Sequence, residues 1–178
     1  MRKANLALIG LVMLSAAACK KGGASKEDFQ LVPKEAQVLF RVNVEKLRAA
    51  PAWKDIIELR DGNEKSKKEY AEFVAKCGLD PFAQINSVFL AVPQVQDMGM
   101  KEFAVIMRGT FDETKLLACS TEAAKKHGGE VKTTEHNGAK IYSDGKKDEA
   151  FATFLDAKTV AIGGKEWIKK VIDLAKAD

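Results

Sequence analysis

The chain has 178 residues, with 29 basic and 25 acidic side chains and a formal charge of +4. Arg2 and Lys3 supply part of that excess, so the remainder is nearly balanced, which argues against a nucleic-acid partner. A length of this order suits one domain that buries roughly 70% of the surface its unfolded chain exposes.

Met1-Arg2-Lys3 opens the chain, followed by a mostly apolar run from Ala4 to Leu14 and then Ser15-Ala16-Ala17-Ala18-Cys19-Lys20-Lys21. Positive charge, a short apolar stretch and small residues are the parts of an export signal. The run falls short of the ~20 residues that a spanning helix needs. The placement of Cys19 resembles a bacterial lipoprotein signal, in which residues 1–18 are removed and the Cys19 thiol takes a diacylglycerol. Ala16 stands where Leu is commonest in such signals. Ala16-Ala17-Ala18 also satisfies the A-x-A rule of ordinary secretion, which cuts at the same point and adds no lipid. On the lipoprotein reading each buried methylene contributes about 0.8 kcal/mol, so two or three acyl chains hold the protein stably. Lys20 lacks the Asp that resembles an inner-membrane retention signal, so the expected address is the outer membrane, facing periplasm or cell surface. Residues 19–26 are then the acylated cysteine and a flexible tether reaching at most ~25 Å, and residues 27–178 a single domain.

Gln37 to Asn43 alternates as a strand, and Asn43 can cap a short helix. Pro51 suits the first position of a second helix, with Trp53, Ile56 and Ile57 inward. Tyr70, Phe73, Val74 and Cys77 make one apolar stripe on a longer helix that Gly78 ends. Asp80-Pro81 opens a short turn of helix. Strands are expected over Ser87–Val92 and Lys101–Arg108, joined through a loop carrying Gly99. Thr110-Phe111-Asp112-Glu113 fits a capping box for a helix through about Lys126, stopped by Gly128-Gly129. Asn137-Gly138 between Glu130–His136 and Ala139–Ser143 is the strongest hairpin signal in the chain. Strands near Phe151–Leu155 and Thr159–Ile162 follow, and a last helix, Lys165 to about Lys176, carries Ile168, Val171, Ile172 and Ala175 on one face. Hairpins outnumber crossovers, so the expected fold is α+β. It has a mostly antiparallel sheet of six or seven strands, helices packed on one face, and a ferredoxin-like split βαβ unit as a candidate core.

Chemistry-bearing residues are sparse. Cys77 and Cys119 both fall on predicted helices of an exported protein, and a structural disulfide is the expected state, with two separate buried thiols as the alternative. No C-x-x-C suggests an oxidoreductase. His127 and His136 are the chain's two histidines, with Glu130 and Glu135 nearby. Their spacing matches no zinc motif, so no metal is expected. Asp144, Asp148 and Glu149 surround Gly145, but Lys146-Lys147 stand where calcium ligands would be needed. Ala161-Ile162-Gly163-Gly164-Lys165 lacks the earlier glycine and the following Ser or Thr of a phosphate loop. The serine-hydrolase elbow G-x-S-x-G is absent. Lysine pairs at 67–68, 125–126, 146–147 and 169–170 read as solvated surface. No cofactor is expected. Trp53, Trp167 and the phenylalanines read as core, although a pocket between sheet and helices would suit a lipid.

Three stretches, Lys76-Cys77-Gly78-Leu79-Asp80-Pro81, Arg108-Gly109-Thr110-Phe111-Asp112 and Gly163-Gly164-Lys165-Glu166-Trp167, together with the Cys19 signal, resemble uncharacterised lipoproteins of myxobacteria and their relatives. The resemblance implies an envelope lipoprotein and carries no catalytic residue. The leading expectation is a non-enzymatic, lipid-anchored envelope protein that binds or assembles with an envelope protein partner. The rivals are a carrier of a lipid or other apolar small molecule, and a hydrolytic enzyme.

Overall fold

The computed structural model describes residues 29–93, 102–145 and 150–177. Cys19, the export signal, the tether, Gly99, the Lys146-Lys147 pair, Asp148 and Glu149 lie outside these residues.

Strand β1 (Val38–Asn43) leads into helix α1 (Val44–Arg48), and the Lys46 backbone N–H donates to Asn43 Oδ1 at 2.8 Å. Helix α2 (Trp53–Asp61) starts two residues later than Pro51 suggested. Pro51 and Ala52 instead form a tight turn, with Trp53 N–H bonded to Ala50 O at 3.0 Å and Lys54 N–H to Pro51 O at 3.3 Å. Helix α3 (Glu64–Cys77) ends at Gly78 as expected, and Asp80 caps helix α4 (Pro81–Gln84) by accepting from Phe82 and Ala83. Strands β2 (Ile85–Val92) and β3 (Ala104–Gly109) follow. Helix α5 (Glu113–Lys126) is capped by Asp112 rather than Thr110, with Lys115 N–H donating to Asp112 Oδ1 at 3.1 Å. The cap sits two residues later than the sequence motif implied, which leaves Glu113 available for a contact with Tyr142. Strands β4 (Lys132–His136) and β5 (Ala139–Ser143) meet at Asn137 (φ 47°) and Gly138 (φ 72°), the paired left-handed conformation of a type I′ turn. Strands β6 (Phe151–Asp156) and β7 (Thr159–Gly163) and helix α6 (Lys165–Lys176) complete the chain.

The strands form one seven-stranded antiparallel sheet in the order β1-β2-β3-β7-β6-β5-β4. The α+β class and the antiparallel sheet are as the sequence indicates. The ferredoxin-like core is not built. Its split βαβ unit holds one strand between the parallel pair, whereas β3 and β4, the strands α5 connects, are parallel with β7, β6 and β5 between them. Helices α1 to α4 instead join two antiparallel neighbours, β1 and β2.

The register assigns each side chain to a face. Ile106 pairs with Ala161, which pairs with Thr153, and this row lies beneath α6. There Trp167, Ile168, Val171 and Ile172 are all buried against Phe89, Ala104, Ile106, Ile141 and Phe151. Each such side chain contributes about 1.5–3 kcal/mol on burial. Leu31 joins this core, and Lys170 Nζ holds the same N-terminal segment through Glu35 Oε1 at 2.6 Å. Thr153 is buried in this layer with its hydroxyl satisfied, donating to Lys140 O at 2.8 Å. The alternate rows, Val105-Ile162-Ala152-Tyr142 and Met107-Val160-Phe154, face the other way, toward α5. Helices therefore occupy both faces rather than one.

Candidate functional site: a hollow beneath helix α5

The two faces are filled differently. Beneath α6 the branched and aromatic side chains close-pack. Between α5 and the sheet lies a cleft of about 440 Å³, within the 300–1,000 Å³ usual for small-molecule sites. Its origin is in the α5 sequence. Leu116, Leu117, Ser120, Ala123 and Ala124 share the inward face at helical spacing, and three of them are small. Opposite them Ala152 stands between Ile162 and Tyr142 in the sheet. Small residues facing a small residue across a helix–sheet interface leave space that neither side fills. Met107, Phe154, Val160 and Ile162 make the floor apolar.

Two links hold α5 over this space. Cys119 on α5 lies beside Cys77 on α3, with Cα atoms 5.0 Å apart, inside the range a disulfide requires. This is the pair expected from sequence. Near the N-terminus of α5, Tyr142 Oη donates to Glu113 Oε1 at 2.6 Å. Burial of the phenol and then the Glu113 carboxylate beside it push the Tyr142 pKa up to about 12. The second tyrosine behaves alike elsewhere. Tyr70 donates to Asp80 beneath Arg60, whose guanidinium carbon lies 4.6 Å from the Tyr70 ring and 5.1 Å from Phe82. That cluster locks α2, α3 and α4 together.

Polar groups gather at one end of the cleft. His127 caps the C-terminus of α5, and Ser143 and Asp144 close β5 beside it. Ser120, exposed like His127, lies back along α5 from it. Seven residues along a helix separate Ser120 from His127 by about 10.5 Å, too far for a nucleophile and its base to share a hydrogen bond. The histidines are not brought together. His136 lies on the α6 face, with Nε2 2.9 Å from Asp173 Oδ1. Among the described residues no group of three or more His, Cys, Asp or Glu is placed to hold a metal.

The glycine pair before α6 serves packing. Gly163 pairs with Ala104 and Phe151, and a Cβ there would collide with the Phe103 carbonyl oxygen. Gly164 N–H already donates to Phe103 O at 3.1 Å, and Lys165 Nζ lies 5.8 Å from the Phe151 ring centroid. The backbone donor a phosphate would need is thus in use.

The sequence admits a pocket between sheet and helices without marking where it lies. The signal that could have done so is the small-residue face of α5, legible only once its floor is known.

No protein-family model matches the chain, and no curated protein matches it. Among solved structures, crystal form III of TP0453 is similar over 81% of this chain and 51% of its own, with 12% sequence identity and a TM-score of 0.44. A likeness that loose carries no functional argument. What the fold defines is an α+β protein with a seven-stranded antiparallel sheet, packed on one face and hollow on the other.

Proposed function

We propose that this chain is a non-enzymatic envelope protein, anchored by lipid on Cys19, which binds an apolar small molecule in the cleft between α5 and the sheet. The carrying observation is the cleft itself, about 440 Å³ and lined mainly by Leu, Ala, Val, Ile, Met and Phe side chains. Such a lining gains free energy by releasing water to an apolar guest and offers little to stabilise developing charge. His127, Ser143 and Asp144 at one end suit the polar head of an amphiphile, so a fatty acid or a single lipid chain is the ligand class favoured. A Cys77–Cys119 disulfide fits the same role, because it would fix the roof of the cleft to α3 in an oxidising compartment.

The test is binding of a fluorescent fatty acid to delipidated protein, compared with an Ala123→Trp variant that fills the cleft from a solvent-accessible roof position. Saturable one-to-one binding, weakened at least tenfold by the substitution, is expected. Absence of binding, or equal binding by the filled variant, would refute the proposal.

A further inference from the structure

We propose that strand β1 pairs antiparallel with β1 of a second copy of this chain, joining two sheets into a symmetric dimer. The inference is independent of the cleft and of the lipid anchor. β1 stands at one end of the strand order, and among the described residues no strand pairs with its outer side. An edge strand turns alternate backbone N–H and C=O groups outward, a template for strand addition unless it is guarded.

The two edges of this sheet are treated differently. β4, at the far edge, reads Lys132-Thr133-Thr134-Glu135-His136, and its charges discourage addition. β1 has no such guard over its first half. Val38 is 37% exposed, Leu39 42% and Phe40 62%. Neighbouring residues of a strand point to opposite faces, so these three present apolar surface above and below one open backbone edge. A partner that covers both faces and also satisfies the backbone between them is another strand. A bilayer fits poorly, because open sheet edges do not enter hydrocarbon, where their polar groups would go unpaired.

The sequence of β1 is complementary to itself. A twofold axis at Leu39 sets Leu39 against Leu39 of the second copy, Phe40 against its Val38, and Arg41 against its Gln37. Every exposed apolar side chain then meets an apolar one, and the two arginines stand apart. An axis at Arg41 would oppose like charges. Pairing β1 with β4 would set the apolar Val38, Leu39 and Phe40 against a strand that carries Lys132, Glu135 and His136, and would propagate open-ended chains. Symmetric pairing closes the assembly at two copies.

The test uses the full-length chain in its own cells, carrying Leu39→Cys and treated with a short thiol-to-thiol cross-linker. A covalent dimer is expected on denaturing electrophoresis. Thr134→Cys on β4 reports any cross-linking through Cys19 or random encounter and is expected to stay monomeric. Adding Phe40→Lys to the Leu39→Cys chain is expected to lower the dimer fraction at least tenfold. Phe40 is mostly exposed, and an unchanged circular dichroism spectrum of the purified double variant checks that its fold persists. A monomeric Leu39→Cys chain, equal cross-linking from Thr134→Cys, or a dimer indifferent to Phe40→Lys would overturn the proposal.

Discussion

Tyr70 and Tyr142 are the two tyrosines of the chain, and each gives its hydroxyl to a carboxylate, Asp80 and Glu113 respectively. Burial, reinforced by those carboxylates, pushes both phenols up to about 12. An unfolded phenol titrates near 10. The folded pKa is the higher one, so this contribution to stability is fully present below about pH 10 and is lost as the pH climbs through about 12. Phenolate ultraviolet absorbance of the folded protein should therefore rise near pH 12. A tyrosine that ionises near pH 10 before unfolding would contradict the two contacts. Gly163 makes a second residue-scale case. Its neighbours read superficially as a phosphate loop, but its contacts are those of a strand lying against the Phe103 carbonyl. Gly163→Ala should cost about 1–3 kcal/mol of stability, as overpacking does. An unchanged urea midpoint would argue against that packing role.

At the scale of elements, α5 and α6 form a natural comparison. Ile172 on α6 is fully buried in a filled core, so Ile172→Ala should cost about 2–5 kcal/mol. Leu117 on α5 already borders an open cleft, and Leu117→Ala should cost about 1 kcal/mol or less, since few contacts are lost. Equal costs measured in urea would mean that the cleft is filled in solution. The Cys77–Cys119 link closes 42 residues, and reduction should lower stability by up to roughly 4 kcal/mol on the chain-entropy account. Two reactive thiols in denatured, unreduced protein would remove that expectation. These elements also show where sequence was legible. Asn43, Asp80, Gly78 and Asn137-Gly138 act through their immediate neighbours, and each sits where local chemistry puts it. The cap of α5 was displaced from Thr110 to Asp112 because both residues offer an oxygen, and two positions satisfy one local rule. The crossover from β3 to β4 over three strands, the split of helices between faces, and the hollow under α5 depend on residues far apart in the chain. Ala123 and Ala152 carry no mark of facing each other until the register of β6 and the seat of α5 are known.

For the molecule as a whole, the same economy of side chains gives a stable body and an empty space. The α6 face supplies cohesion, and the α5 face carries the cleft in which we place an amphiphile. Among the described residues no helix is long and apolar enough to cross a membrane, and in the function proposed above attachment is through lipid on Cys19. The most direct measurement is mass spectrometry of the full native protein taken gently from envelopes, weighed once intact and once denatured. The denatured mass should exceed that of the chain cut before Cys19 by the acyl groups alone. The native mass should be larger again by one apolar molecule per chain. Equal native and denatured masses per chain, from protein that also takes up no added fatty acid, would contradict the proposed cleft function.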